Sequence, residues 1–264
     1  MQLSELSIRK IRDGLSNLNV TIGSEIVFFQ VIGSTNTAAA GLAAKGQREG
    51  TVVIADSQTE GRGRRGRTWV SPAGKNLYLS IIVRPAIPPG EASILTLMSA
   101  VACTSAIQRL SSVPVSIKWP NDLMAADKKI GGILTEMKAD ADSINYVVIG
   151  IGINLNLDTL DMPDSIRESA TSVMLQAGSM QSRTKYALEV IKSLDYWYTI
   201  FLESGKRPII ESWQRLSSTP GRAVTVTTGE GKLTGLAEGI DDEGLLILRL
   251  GDNSVVKIRS GDVC

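Results

Sequence analysis

Apolar and polar positions follow two rhythms along this chain, and these sort it into helices and strands. Over residues 4–18, Leu6, Ile8, Ile11, Leu15 and Leu18 recur at loosely helical spacing, and Gly23 closes that element. Residues 25–32 (EIVFFQVI), 51–56 and 76–84 (NLYLSIIVR) are short runs of strand type. Ser34, Thr35 and Asn36 offer capping oxygens ahead of an alanine-rich helix over 37–45, which Gly46 ends. The longest helical pattern covers 91–112, where Ile94, Leu95, Leu97, Met98, Val101, Ala102, Ile107 and Leu110 make a wide apolar face between prolines at 89 and 114. Strand patterns return at 115–118, 129–137 (KIGGILTEM) and 145–156 (NYVVIGIGINLN). The last of these carries two interior glycines, Gly150 and Gly152, which in a strand mark a close approach to the backbone, here expected to come from a ligand. Residues 158–177 read as loop with short turns, 182–204 as a second long helix and 208–216 as a short one.

After Thr219, Pro220 and Gly221 the texture changes. Short strand patterns (AVTVTT, KLTGLAEGI, GLLILRL, SVVKIR) alternate with glycine- and aspartate-rich turns, as in a small β-barrel. The expected division is therefore a large unit over 1–217 and a small β unit over 218–264.

Composition narrows the chemistry. The 264 residues carry 28 Lys and Arg against 27 Asp and Glu, a net charge of +1, which offers no global basic field for nucleic acid. Histidine is absent, so a Ser-His-Asp triad, a Cys-His dyad and His-ligated zinc are all excluded. Cys103 and Cys264 stand in no metal-ligand spacing, and Cys103 falls in an apolar helical run. That usage suits a reducing compartment. No apolar run approaches the length of a membrane span and the N-terminus lacks a signal-peptide core, so a cytoplasmic protein is expected.

Against this neutral background one stretch stands out. Residues 61–67 (GRGRRGR) hold four arginines and three glycines, between Gln58 and Trp69. Glycine gives such a loop conformational freedom, and guanidinium forks suit phosphate or carboxylate. From this stretch alone, a solvated basic loop and a clamp over a phosphate-bearing ligand both stay open. Residues 61–66 also satisfy G-x-G-x-x-G, but a dinucleotide fingerprint must open a helix. Here Pro72, Gly74 and then a strand follow, so that reading is set aside. Three more groups accompany the loop: Ser34-Thr35-Asn36, the corner Lys118-Trp119-Pro120-Asn121-Asp122, and Lys128-Lys129-Ile130-Gly131-Gly132-Ile133-Leu134. Singly these are a helix cap, a strand corner with a local salt bridge, and the polar side of a hairpin.

Together the set resembles the biotin protein ligases, whose signatures are G-R-G-R-x-G-R-x-W, K-W-P-N-D and K-[IL]-x-G-[IL]-L. All three occur here in order, with a G-x-G-I-N strand at 150–154. The likeness runs from about Phe28 through the C-terminal β unit. It implies an α+β fold: a mixed β-sheet catalytic domain flanked by helices, of the class II synthetase and lipoate-ligase type, then a small SH3-like barrel. It also implies ATP-dependent attachment of biotin, through biotinyl-5′-AMP and with Mg²⁺, to a lysine of a biotin carboxyl carrier protein domain. The resemblance puts biotin beside Ser34, Thr35, Asn36, Gln58, Gly61, Arg62, Gly63, Arg64, Lys129, Gly132 and Leu134. It puts the nucleotide beside Arg64, Arg67, Trp69, Lys118, Asn121, Asp122 and Asn154, and gives the charge chemistry to Lys129, Arg62 and Arg64. Metal ligands are not assigned, since phosphates would hold Mg²⁺.

Members that also repress transcription carry an N-terminal winged helix. Only about 25 residues precede the core here, so a monofunctional ligase without DNA binding is expected. Family members often form homodimers, for which this sequence has no separate signature. The rival readings are a lipoate or octanoate ligase or transferase on the same fold, and a non-catalytic biotin-binding homologue.

Overall fold

In the computed structural model residues 5–263 are described; Ser4, where the first helical pattern begins, and Cys264 lie outside them. The β-rich run forms β1 (Glu25–Ile32), and the alanine-rich helix α2 (Thr35–Ala44) carries the chain over to β2 (Thr51–Gln58), which pairs parallel to β1. Every other pairing in this sheet is antiparallel: β3 (Leu77–Val83), β4 (Ser116–Lys118), β5 (Asp122–Ala125), β6 (Lys128–Ala139) and β7 (Ile144–Ile153) complete the order β1-β2-β3-β7-β6-β5-β4. The sheet is therefore mixed and seven-stranded.

Period-two alternation divides its side chains between two helical layers. Val52, Ile54, Ile81 and Ile149 face one core with the helices α1 (Ile8–Leu15), α3 (Ser93–Leu110), α6 (Arg183–Ser204) and α7 (Arg207–Leu216). Their neighbours Val53, Ile82 and Val148 face Ala39 and Ala43 of α2 on the opposite side. Burial on both faces explains why β3 reads as a continuous apolar run, all seven residues being buried.

Three local features differ from expectation. Thr35 and Asn36 lie inside the first turn of α2 instead of capping it, and Ser34 stands at the N-cap without a side-chain capping bond. Residues 158–177 hold a 3-10 turn at Thr159–Asp161 and two short helices, α4 (Asp164–Arg167) and α5 (Val173–Ala177). By length and composition the segment Pro89–Leu110 would reach across a membrane, yet it is the core helix, with Leu95, Met98, Val101 and Ile107 fully buried.

The C-terminal strands β8 (Ala223–Thr227), β9 (Lys232–Ile240), β10 (Leu246–Leu250), β11 (Val255–Ile258) and β12 (Asp262–Val263) form an antiparallel five-stranded sheet in the order β11-β10-β9-β8-β12. Its inner face continues the main core. Trp119 fastens the two sheets: its N–H donates to Thr219 Oγ1 (2.9 Å) and its indole N–H to the Gly244 carbonyl (3.2 Å).

One buried ion pair lies under the site. Arg183, at the start of α6, donates to Asp56 Oδ1 (2.6 Å) and to the Asn76 carbonyl (2.8 Å), with its side chain 2% exposed. Removing the carboxylate would strand a buried guanidinium, which costs about 3–5 kcal/mol. Asp56→Ala should accordingly shift the urea unfolding midpoint sharply downward, whereas Glu60→Ala, at an exposed position, should not.

Candidate active site

The sheet, the start of α2, the arginine loop and the segment after β7 enclose a cavity of about 340 Å³. Ser34, Thr35, Asn36 and Gln58 form one end, where α2 begins and β2 stops. Arg62, Gly63, Arg64, Arg67 and Trp69 come from the loop, Asn121 from the β4–β5 corner, and Lys129, Gly132 and Leu134 from β6. Asn154 closes the end of β7. The structure thus gathers fourteen of the seventeen residues singled out in the sequence around one space.

The polar end is already networked. Gln58 Oε1 accepts from the Thr35 N–H (2.9 Å) and Oγ1 (3.1 Å), while Gln58 Nε2 donates to Ser71 Oγ (2.9 Å). Ser80, reaching up from β3, donates to Thr35 Oγ1 (2.8 Å) or Asn36 Oδ1 (2.6 Å). Asn36 Nδ2 in turn donates to Glu136 Oε2 (2.8 Å). Mutual bonding holds these donors and acceptors in fixed directions. The Ser34 hydroxyl makes no hydrogen bond among the described residues, so it is the group free to meet a polar ligand atom.

The interior glycines of β7 do mark close approach, but by the protein's own side chains. A Cβ at Gly150 would overlap Asn36 Oδ1. One at Gly152 would lie 2.5 Å from Cε2 and Nε1 of Trp69, whose indole also rests on Gly132. The Trp69 indole N–H is buried there without a partner. Gly152→Ala should therefore expel the indole from its slot, and a red-shifted Trp69 emission relative to a Trp69→Phe control would show it. Unchanged emission would sink this account of Gly152.

Lys129 is the cation at the centre. Its Nζ lies 2.5 Å from Asp122 Oδ1 and 5.4 Å from the centroid of the Trp69 ring. Its main chain is held on both sides, N–H to the Ser169 carbonyl (2.8 Å) and carbonyl to the Thr171 N–H (2.9 Å). The loop is pinned as well. Arg62 Nη2 meets Glu136 Oε1 at 2.7 Å. Arg64 donates to Asn121 Oδ1 (2.9 Å) and to the Gly261 carbonyl (3.2 Å), and burial lowers its pKa from the usual guanidinium value. Arg65 and Arg67 reach Asp262 Oδ2 and Oδ1 at 3.6 and 2.9 Å. The arginines are therefore ion-paired across the molecule instead of being bare in solvent.

Three singled-out residues stand off the cavity wall. Gly61 is packed at the loop base, its carbonyl accepting from the Trp69 N–H (2.8 Å). Lys118 ends β4 facing elsewhere, and Asp122 acts on the space only through Lys129. Sequence reasoning passed over Ser165, Ile166, Ser169 and Ala170, which form the wall opposite the loop. It also passed over Glu136 and Asp262, the anions that hold the arginines. Neither the wall nor the anions belong to a contiguous motif, so only pairing across the fold exposes them.

Comparison with known proteins gives the family. The Biotin/lipoate A/B protein ligase family profile matches residues 28–154, and the Biotin protein ligase C terminal domain profile matches 219–264. The chain is 38% identical over 259 residues to the Bifunctional ligase/repressor BirA of Bacillus subtilis, covering 98% of this chain and 79% of that protein. It is 32% identical over 237 residues to the Biotin--[acetyl-CoA-carboxylase] ligase of Mycobacterium tuberculosis, 88% of this chain and 85% of that one. The biotin protein ligase from Aquifex aeolicus in complex with biotin and ATP superposes with a TM-score of 0.78 at 28% identity, over 91% of this chain and 98% of that structure.

Proposed function

The chain belongs to the biotin protein ligases, and we propose that the cavity between Ser34 and Ala170 is where it activates biotin with ATP and hands it to a lysine. The observation that carries this reading is the convergence of Lys129, Arg64 and Arg67 on one cavity whose far end is a fixed hydrogen-bonding network of the neutral side chains Thr35, Asn36 and Gln58, tied to Glu136. A biotin ureido ring matches the neutral end, where Ser34 has a free hydroxyl and Gln58 and Thr35 are held in place. The carboxylate then points toward Lys129. The Trp69 face, Asn154 and the Ser165 to Ala170 wall are left for the nucleotide.

In the first step a biotin carboxylate oxygen attacks the α-phosphorus of ATP, and the bond from that phosphorus to the bridging oxygen breaks, releasing pyrophosphate. Both reactants are anions, so their approach needs positive charge placed where negative charge accumulates. Lys129 is so placed, and Arg64 and Arg67 face the same space. In the second step an acceptor lysine amine attacks the acyl carbon of biotinyl-5′-AMP, the carbon–oxygen bond to the phosphate breaks, and AMP leaves as the amine loses a proton. Water would cleave the mixed anhydride, so the pinned loop protects it. The acceptor we propose is the carrier domain of a biotin-dependent carboxylase, as the names of the relatives imply for them. We place the reaction in the cytoplasm, and we divide the chain at about residue 217 into a catalytic unit and a C-terminal unit.

Among the described residues no cluster of three metal-binding side chains exists, and the carboxylates near the cavity, Asp122, Glu136 and Asp262, are each paired with a cation. The expected Mg²⁺ would then be held mainly by the nucleotide phosphates, whose negative charge it would screen.

The test is incubation with ATP, Mg²⁺, labelled biotin and a carrier domain. Pyrophosphate release with a labelled carrier is the expected result. Transfer of lipoate with no transfer of biotin would overturn the assignment in favour of a lipoate ligase.

A further inference from the structure

The C-terminal strand β12 contributes no residue to the cavity lining, yet its one carboxylate reaches three arginines of the loop. Asp262 lies 2.9 Å from Arg67, 3.6 Å from Arg65 and 3.7 Å from Arg64. Backbone pairing fixes that carboxylate in place, because Asp262 is in register with Thr227 and Val263 with Val226 of β8. The paired strands β8 and β12 bring two further acceptors, the Gly261 carbonyl just before β12 to Arg64 and the Thr227 carbonyl at the end of β8 to Arg65. Arg65 holds its left-handed backbone (φ 54°), an unfavourable conformation for a residue with a side chain, where it makes these contacts.

Arg64, Arg65 and Arg67 put three positive charges within four residues, where they repel one another, and a loop containing three glycines has little intrinsic shape. One anion offsets part of that repulsion and leaves positive charge in excess. Asp262 does not line the cavity, whereas Arg64 and Arg67 do. The carboxylate therefore grips the guanidinium cluster from outside and leaves the inner side open to a polyanion.

We propose that Asp262 is a positioning residue: it gathers Arg64, Arg65 and Arg67 at the cavity mouth before ligand arrives, so that the C-terminal β unit prepares the loop for the nucleotide polyphosphate. A charged anchor on a separate sheet also makes the loop's order depend on how that sheet is seated. The nucleotide part of this proposal rests on the ligase reading given above; the anchoring part does not.

The experiment compares Asp262→Asn and Asp262→Glu with the parent chain in two assays. In the first, trypsin acts on the ligand-free protein and fragments cut between residues 62 and 67 are counted. Asp262→Asn should be cut there about ten-fold faster, since proteolysis follows the population of the open loop. Asp262→Glu, which keeps the charge, should stay near the parent. In the second, adenylate formation should show KM for ATP raised about ten-fold in Asp262→Asn, with KM for biotin within about two-fold and with Asp262→Glu largely restored. Unchanged cleavage with unchanged KM for ATP overturns the proposal. Faster cleavage with an unchanged KM for ATP leaves a tether that prepares nothing, and overturns the positioning role. A joint rise in both KM values with a lowered melting midpoint means general support of the fold, and overturns it too. A parent chain that forms no biotinyl adenylate would defeat the ligase reading, while the cleavage assay would still decide the anchoring.

Discussion

Lys129→Ala is expected to slow biotinyl adenylate formation by about 10²–10³-fold, the usual loss when one charge-stabilising group is removed from a water-excluded site. The ammonium is the cation best placed between the two halves of the cavity, and its backbone is locked by Ser169 and Thr171, so no neighbouring lysine can slide into register. Lys128 precedes it but points outward, exposed, as strand alternation requires. The loss has a second component. Asp122, paired with Lys129 at 2.5 Å, would be left as an uncompensated anion beside the place where two more anions must meet. The double variant Lys129→Ala/Asp122→Asn should therefore recover part of the rate, by about ten-fold, as coupled neighbours do in a mutant cycle. Stability should hardly change, because partly exposed ion pairs contribute only about 0–1 kcal/mol. Pyrophosphate release with biotin and no carrier is the measurement. A rate within two-fold of the parent would remove Lys129 from the chemistry.

How much of this could be read from residue order follows the range of each interaction. β1 matched its expected ends, and α6 began at the cap Ser182, because apolar periodicity and caps are local signals. The order β1-β2-β3-β7-β6-β5-β4 could not be read that way, since it rests on pairings such as Leu77 with Ile153. β12 has only two residues and no periodicity to display. At the site, the glycines of β7 signalled close approach correctly in kind, and the identity of the approaching group needed the fold: Asn36 comes from α2 and Trp69 from the loop. The arginine loop showed its charge plainly, while its anions did not show at all. Glu136 and Asp262 are ordinary acidic residues in strands, separated from their partners by 74 and 195 residues. Composition made the loop look like an unpaired polycation; the fold supplies its counter-charges.

Arg64→Ala is expected to release biotinyl-5′-AMP about 10–100-fold faster while allowing it to form. Arg64 differs from the other loop arginines in being largely buried, with a side chain 19% exposed. It ties the loop to two other parts of the fold: the β4–β5 corner through Asn121 Oδ1, and the lead-in to β12 through the Gly261 carbonyl. Asn121 is itself anchored by its amide, which donates to the Ile133 carbonyl at 2.7 Å. Loss of the guanidinium would cut both links and leave the Asn121 oxygen without its donor. Hydrogen bonds to a charged group contribute about 1.5–3 kcal/mol each, so one net link accounts for a change of this size in the off-rate. Lys129 keeps its place in the variant, because none of its contacts runs through Arg64. The first step should therefore lose less than the retention of its product. Rapid filtration after a single turnover, with the free intermediate trapped by hydroxylamine, separates the two. Retention equal to that of the parent chain would show that the loop holds shape at the cavity mouth without acting as its lid, and the protection of the mixed anhydride would then fall to the opposite wall at Ser165 and Ser169.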